Sequence, residues 1–159
     1  MLSVEYMAGF FDGEGTVAVT TRGREKGVYL RISISNTNQQ ILHLIKACFG
    51  GYLSTPRKKR ENWKPSCEWI NSGKSAAEFL KLIQPYVILK KGQVALGLEF
   101  WEFQRKPKNE RCYFIHGKGT NTRIKKKPET LTKEAEFKQR FKALNQKGNG
   151  EGMYLGGVN

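Results

Sequence analysis

Apolar and polar residues alternate along residues 28–35, and a looser alternation precedes them along residues 16–26. The apolar positions of the second segment are Val28, Leu30, Ile32 and Ile34. Successive side chains of a β-strand point to opposite faces, so this pattern predicts two antiparallel strands that bury one face and expose the other. Gly23 and Gly27 flank the connection and suit the turn that joins the strands. The predicted exposed face is rich in Arg, Ser and Thr.

Five further segments carry apolar residues at the three- and four-residue spacing of an amphipathic helix. The predicted helices cover residues 3–12, 38–49, 75–85, 93–104 and 132–146. A capping box from Ser75 to Glu78 opens the third of them. Two short stretches, 52–55 and 67–71, predict a third and a fourth strand, whereas residues 105–130 show no regular pattern. The order α-β-β-α-β-β-α-α predicts an α+β domain with one four-stranded antiparallel sheet and C-terminal helices.

The length and charge of the chain narrow its organisation and its partners. The 159 residues fit one domain over 1–147, with a core at about 3–104 and a basic loop and C-terminal helix at 105–147. The Gly-rich residues 148–159 are expected to form a flexible tail. Lys and Arg number 28 against 14 acidic residues, which gives a net charge of +14. Such an excess predicts a polyanionic partner, because neutralised phosphates release their counterions.

Composition argues against several other classes of protein. The sequence has no run of about 18 apolar residues, and its first residues lack the basic and apolar segments of a signal peptide. Three widely spaced cysteines argue against a disulfide framework, and two histidines without a C-x-x-C offer no zinc motif. We therefore expect an intracellular protein, in an organelle (chloroplast or mitochondrion) or a prokaryotic cytoplasm, that uses neither a membrane nor a small-molecule cofactor.

The segment with the most specific chemistry is residues 7–15, Met-Ala-Gly-Phe-Phe-Asp-Gly-Glu-Gly. Gly9 and Gly13 are four residues apart and lie on one face of a helix, where small residues let two helix backbones approach closely. Glu14 follows at the end of that contact, so it would meet its own copy on a second helix. Two facing carboxylates repel unless a cation lies between them, and Mg²⁺ accepts carboxylate and phosphate oxygens together.

This segment resembles the motif of the LAGLIDADG homing endonucleases, and the surrounding element order is similar to that of the family. The resemblance covers residues 5–104 and is greatest with the members that carry a single motif and act as homodimers. It implies an αββαββα core with a saddle-shaped sheet. It also implies a dimer interface on the first helix. The interface residues would be Met7, Ala8, Gly9, Phe11, Asp12 and Gly13.

The resemblance also implies an active site. Glu14, where most members have Asp, and Gly13 would form the metal site for Mg²⁺, which Mn²⁺ or Ca²⁺ can replace in binding. Asn36 would position the attacking water, Lys90 would stabilise charge at the phosphate, and Gln93 lies near enough to assist. The same residues have simpler interpretations, which the sequence leaves open: Asn36 can cap the next helix, and Lys90 can be one of many solvated lysines.

The exposed face of the sheet is the expected surface for reading base edges in a DNA groove. The predicted readers are Thr16, Ala18, Thr20, Arg22, Arg24, Tyr29, Arg31, Ser33, Ser35, Tyr52 and Ser54. For the fourth strand the sequence does not decide between the Cys67/Trp69 face and the Glu68/Ile70 face, and Trp69 is the candidate retained. Phosphate contacts are expected from Arg57, Lys58, Lys59 and Lys91.

The combined expectation is a site-specific, metal-dependent, intron-encoded endonuclease. As a homodimer it would hydrolyse one phosphodiester on each strand of a long pseudo-palindromic DNA target. Two alternatives remain at this stage. An RNA-binding intron maturase would use the same sheet without cutting, and a DNA-binding regulator would need no enzyme activity. Intact Glu14 and Lys90 argue against both, because neither function requires an acid close to a phosphate.

Overall fold

A four-stranded antiparallel sheet lies at the centre of the molecule, with the strand order β1-β2-β4-β3. The computed structural model describes residues 2–21, 27–56, 61, 62, 64–116 and 122–146. The strands are β1 (Gly15–Thr21), β2 (Val28–Asn36), β3 (Tyr52–Leu53) and β4 (Cys67–Ser72). The predicted α+β class and the single four-stranded core sheet are thus confirmed. The third strand is shorter than predicted.

Helices cover one face of this sheet. The described helices are α1 (Val4–Glu14), α2 (Gln39–Phe49), α3 (Gly73–Ile83), α4 (Lys91–Arg105), the short α5 (Lys108–Arg111) and α6 (Pro128–Asn145), and all except α5 pack against this sheet. The helix α1 continues through Gly13 to Glu14, two residues beyond its predicted end, and Gly15 then takes up an extended conformation. The core lies between helices and sheet, where Phe79 packs against Phe11 and Trp69 with ring centroids 5.6 and 5.3 Å apart.

At the starts of two helices the caps differ from those that the sequence offered, which were Asn36 as an open alternative for α2 and the predicted capping box at Ser75 for α3. Asn38, not Asn36, caps α2, because its side-chain oxygen accepts hydrogen bonds from the N–H groups of Gln40 and Ile41. The predicted capping box at Ser75 is wrong. Strand β4 runs directly into α3, the N-cap position falls on Ser72, and Ser75 already lies inside the helix.

Residues 105–130, expected to be irregular, contain a second two-stranded sheet. Strands β5 (Cys112–His116) and β6 (Thr122–Lys126) pair antiparallel. A salt bridge of 2.5 Å from Lys126 to the buried Glu134 of α6 ties this hairpin to the domain. The helix α6 also covers the free edge of β1, because the Asn145 amide donates to the Val17 carbonyl at 3.0 Å. Covered edges are protected from pairing with other chains.

Two further expectations from the sequence are a flexible C-terminal tail and the lack of a membrane-spanning helix. The expected Gly-rich tail at 148–159 lies outside the described residues. Within the described part of the chain, every helix is too short or too polar to cross a membrane.

Candidate active site

The helix α1 has one face that no described residue of the chain covers. Gly9 and Gly13 lie on it, and a Cβ atom added at either position would meet no atom within 4 Å. Tyr6 is exposed beside them, and its ring stacks at 6.0 Å between centroids on that of Phe10, which is partly buried against the core at the edge of this face. This surface is called the glycine face below and comprises Tyr6, Gly9, Phe10 and Gly13. It is smooth and partly aromatic, which suits close contact with another surface.

Four of the six predicted interface residues lie on the opposite face of α1. Met7, Ala8 and Phe11 are fully buried in the chain's own core, and Asp12 is nearly so. Their prediction as dimer contacts is wrong, because the 100° turn per residue that exposes Gly9 and Gly13 directs these four inward. The other two predicted interface residues, Gly9 and Gly13, do lie on the exposed face, as their four-residue spacing predicts, whereas Tyr6 and Phe10 at the same helical spacing were not predicted.

Asp12 joins the end of α1 to the start of α4. Its carboxylate accepts hydrogen bonds from the backbone N–H groups of Ile88, Leu89 and Lys90, at 2.6, 3.2 and 3.0 Å. All three N–H groups belong to the segment that immediately precedes α4, so the carboxylate anchors this segment to the end of α1. Asp12 therefore fixes the position of Lys90 relative to α1. This contact between Asp12 and residues 88–90 is called the Asp12 joint below. The sequence cannot show this contact, which spans 76 to 78 residues.

Replacing Asp12 with alanine is expected to destabilise the fold strongly. The change leaves three partly buried N–H groups without an acceptor, and each such loss costs about 1–3 kcal/mol. We expect the free energy of unfolding to fall by about 3–5 kcal/mol in a urea titration. Asn at this position keeps one acceptor oxygen and should lose about half as much. Equal losses for Ala and Asn would show that the hydrogen bonds do not hold this joint.

Lys90 lies against the same joint. Its ammonium group donates to the carbonyl oxygen of Asp12, and its backbone precedes α4. Partial burial lowers the pKa of Lys90 below the ordinary lysine value of 10.5, while the charges of Asp12 and Glu14 oppose that shift. Lys90 is thus a half-buried cation within electrostatic range of the motif acid, which separates it from a solvated surface lysine.

Glu14 lies at the foot of the glycine face and opens onto a cleft. The cleft holds about 260 Å³ and is lined by Glu14, Ser35, Asn36, Thr37 and Ser66. Asn36 ends β2, and its side-chain oxygen accepts from the N–H of Asn38 at 2.8 Å. The cleft therefore brings the predicted acid and amide together. Thr37 and Ser66 were not predicted, and short hydroxyl side chains in loops carry no distinctive sequence signal.

Three predicted residues, Lys90, Lys91 and Gln93, are not among the residues that line this cleft. The Gln93 side chain donates to the Leu144 carbonyl at 3.2 Å and so holds the end of α6. It is absent from the cleft lining, so the structure does not bring it together with Glu14 and Asn36. Lys91 is exposed at the first residue of α4, next to Lys90.

The side of the sheet away from the helices, called the outer face below, collects most of the predicted base readers. Pairing of β1 with β2, β2 with β4, and β4 with β3 sets which side chains share it. Its described members are Thr16, Ala18, Thr20, Tyr29, Arg31, Ser33, Ser35, Tyr52, Ser54, Glu68, Ile70 and Ser72. A groove of about 830 Å³ crosses it along β2, β3 and β4.

Trp69 is not on the outer face, and its prediction as a DNA contact is wrong. The ring is fully buried on the helix side, and its Nε1–H donates to the Gly50 carbonyl at 2.8 Å. The sequence did not decide which residues of β4 lie on the outer face. The structure places Glu68 and Ile70 there. The predicted contacts Arg22, Arg24, Arg57, Lys58 and Lys59 lie outside the described residues.

One chain supplies few ligands for a metal ion. The described residues contain no group of three or more His, Cys, Asp or Glu side chains that could hold one. Glu14 is exposed and forms no ion pair within the described part of the chain. A free carboxylate is the hard oxygen ligand that Mg²⁺ and Ca²⁺ prefer. The donor set therefore fits a divalent cation only if a second source of oxygen ligands completes it.

An αββαββα chain with an exposed acid at the foot of a glycine-faced helix defines a class of nuclease. The family model described as LAGLIDADG endonuclease matches residues 7–98, more than half of the sequence, and the chain belongs to this family. No curated protein matches the sequence, so the family model and the fold carry the comparison.

Several solved structures share the fold. The homing endonuclease I-CvuI, in complex with its target and calcium, superimposes with a TM-score of 0.63 at 20% identity, over 90% of this chain and 82% of that one. The archaeal intron-encoded homing endonuclease I-Vdi141I, complexed with DNA, gives 0.67 at 16% identity, over 93% and 87%. The homing endonuclease I-TnaI gives 0.60 at 18% identity, over 90% and 95%. These matches cover 82%, 87% and 95% of the three neighbours' own chains.

Proposed function

We propose that this protein is a divalent-cation-dependent, site-specific DNA endonuclease that cuts both strands of its target as a homodimer. The observation that carries the proposal is the place of Glu14, exposed at the foot of the uncovered glycine face and open to the cleft at the end of β2. A second copy packed on that face would bring two such acids together. Because the chain belongs to an endonuclease family, the reaction that we assign to this arrangement is hydrolysis of DNA phosphodiesters.

The proposed dimer follows from the glycine face. Identical surfaces pack isologously about a two-fold axis, so Gly9 and Gly13 of one chain would meet Gly13 and Gly9 of the other. Small residues let the helix backbones approach closely. Each chain alone holds half of a symmetric site, which accounts for a motif that occurs once in the sequence.

Duplex DNA is the proposed partner because the net charge of the protein, the shape of its outer face and its family membership all favour it. A net charge of +14 favours a polyanion, and the outer face offers two strands long enough to follow a groove. I-CvuI and I-Vdi141I, which share the fold, were both solved in complex with DNA. The predicted basic contacts would hold phosphates at the ends of the sheet and fix its register.

The carboxylates of Glu14 and of its copy would hold the cation, together with phosphate oxygens of the DNA. When bound, such a cation polarises the scissile phosphate and lowers the pKa of a coordinated water. Neighbouring structures of I-CvuI were solved with Ca²⁺ or Mg²⁺. The repulsion between paired acids and an approaching phosphate gives the site a reason to need a cation.

The chain's own residues would orient the reaction. Asn36 and the hydroxyl groups of Ser35 and Thr37 line the cleft beside Glu14 and could hold a water molecule near the phosphate. Lys90, held by Asp12, would place a positive charge where the phosphate becomes more negative in the transition state. Gln93 is not assigned a direct role, because its amide holds α6.

The state of Lys90 predicts an alkaline limit to cleavage. Because burial lowers its pKa, the ammonium form is fully present below that pKa and is lost as the pH rises through it, before the ordinary value of 10.5. The profile of kcat/KM against pH reports groups of the free enzyme. We expect kcat/KM to fall on the alkaline side, and the limb to move to higher pH in Lys90→Arg, since arginine keeps its charge.

The matched control for this experiment is Lys91→Arg, which makes the same change at the adjacent exposed residue. Its profile should superimpose on that of the wild type. Lys90→Arg with an unchanged alkaline limb would show that another group sets the limit.

Cleavage of natural target DNA tests the proposed function itself. A duplex spanning the junction at which the gene is inserted should be cut on both strands by the wild type in Mg²⁺, and not in EDTA. A scrambled duplex of equal length should stay intact. Specific binding of this duplex without cleavage in any divalent cation would favour the regulator. Tight binding to intron RNA without any DNA cleavage would favour the maturase.

A further inference from the structure

The described part of the outer face is close to neutral although the protein is strongly basic. Of its described members, Arg31 and Glu68 are the two with charged side chains. One lies on β2 and the other on β4, in the two central strands of the sheet. A carboxylate on this face weakens the attraction of the protein for DNA phosphates. Its presence in a protein with a net charge of +14 therefore calls for an explanation.

The two side chains form an ion pair across the groove. Arg31 Nη2 donates to Glu68 Oε2 at 3.0 Å. Their backbones are not directly opposite, since Arg31 pairs with Ser72 and Glu68 with Ser35, so the arginine reaches diagonally past the Ser33–Ile70 pair. The side chains are 29% and 31% exposed, which leaves each partly open to a ligand in the groove.

The guanidinium of Arg31 is anchored by this one hydrogen bond and keeps unused donors. Its Nε is buried and has no hydrogen-bond partner among the described residues. A guanidinium group has five N–H donors in one plane, and the bond to Glu68 uses one of them. The remaining Nη donors are the ones that arginine presents to O6 and N7 of guanine. A carboxylate in the same groove can accept from N4 of cytosine.

From these contacts we propose that Glu68 is a specificity-determining residue that acts as one unit with Arg31. The inference rests on the proposed function. Glu68 holds the guanidinium in a fixed plane, which favours a guanine at the matching position, and its charge prevents Arg31 from binding any passing phosphate. It thus lowers affinity for wrong sequences more than for the right one, which is how a repulsive group creates discrimination.

The test uses binding, measured in Ca²⁺. A duplex library with randomised central positions is selected on the wild type, and the enriched duplex is compared with a scrambled one. Affinities for both duplexes are then measured at several salt concentrations for the wild type, Glu68→Gln, Arg31→Gln and the double variant. The control is Glu99→Gln, which makes the same charge change in the 2.7 Å ion pair between Glu99 and Arg140 on α4 and α6.

For Glu68→Gln we expect the scrambled duplex to bind roughly tenfold tighter at 0.1 M salt, because the freed Arg31 releases about one more counterion. The enriched duplex should change little, so discrimination falls by about the same factor. Arg31→Gln should weaken the enriched duplex roughly 10- to 100-fold, through the lost guanine contact and the unpaired Glu68. In the double variant the scrambled duplex should return to wild-type affinity, while the enriched duplex remains weak.

Four results would overturn the inference while leaving the proposed function intact. One is wild-type discrimination in Glu68→Gln, the second is strictly additive effects of the two single variants, and the third is an equal loss of discrimination in Glu99→Gln. A lowered melting temperature as the sole effect would assign the pair to stability, which also contradicts the inference. If the wild type enriches no sequence and cuts no duplex, the proposed function fails instead.

Discussion

Replacement of Glu14 by glutamine is expected to abolish most DNA cleavage while leaving DNA binding intact. The change keeps the size of the side chain and removes the charge that would hold the cation. Loss of one preorganised electrostatic group in an active site costs about 10²–10³-fold in rate. In a symmetric dimer the variant loses both acids at once, so we expect the loss to be at least of that order.

The measurement is single-turnover cleavage of the cognate duplex in Mg²⁺, with binding followed separately in EDTA. Binding without the metal should stay equal or improve, because two negative charges near the phosphates are gone. Glu14→Asp restores a carboxylate that is one methylene shorter and should recover most of the cleavage. Glu5→Gln is the control, since Glu5 is an exposed acid in the first turn of the same helix.

A Glu14→Gln protein that cuts at the wild-type rate would remove the acid from the mechanism. Loss of cleavage together with loss of binding would instead indicate a damaged fold or interface. Circular dichroism and a melting curve separate these outcomes, because Glu14 is exposed and its replacement should leave the monomer fold unchanged.

Substitution of Gly9 by leucine is expected to prevent dimerisation and, with it, cleavage. Within one chain the substitution is harmless, since a Cβ at this position meets no atom within 4 Å. Glycine inside a helix is also destabilising by roughly 0.5–1 kcal/mol relative to alanine, so losing it should not destabilise the monomer. Against a second helix at close approach, however, four extra carbon atoms cannot be accommodated.

The expected result is a shift from dimer to monomer in analytical ultracentrifugation, with a melting temperature that is no lower at a concentration where the wild type is monomeric. Ala95→Leu is the matched control, because Ala95 is an exposed helix residue on α4 and gains a similar volume. It should leave the dimer intact. A Gly9→Leu protein that remains a fully active dimer would show that the subunits pair through another surface.

The sheet could be predicted because its burial pattern is simple. Strand β2 buries Leu30, Ile32 and Ile34 on one side, so its period of two is legible in the sequence. The hairpin of β5 and β6 could not be predicted in that way. Tyr113, Phe114 and Ile115 are consecutive apolar residues and all three are about half exposed, so no alternation marks the strand.

The site was predictable where the motif is local and unpredictable where it depends on packing. Glu14 and Asn36 follow from the motif and from the end of β2, and both line the cleft. The inward turn of Phe11 depends on which side of α1 the sheet occupies, and Trp69 depends on the register of β4. Neither choice is visible from the spacing of residues, because both faces of each element carry apolar side chains.

The Asp12 joint has a consequence for attempts to re-engineer the subunit contact. Hydrogen bonds of 2.6, 3.2 and 3.0 Å from the N–H groups of residues 88–90 to Asp12 couple the rotation of α1 about its own axis to the backbone of Lys90. A designed heterodimer in which α1 is tilted to improve packing would also displace Lys90. When subunits of different relatives are combined into one dimer, each subunit must therefore keep the angle of α1 that it has in its own dimer.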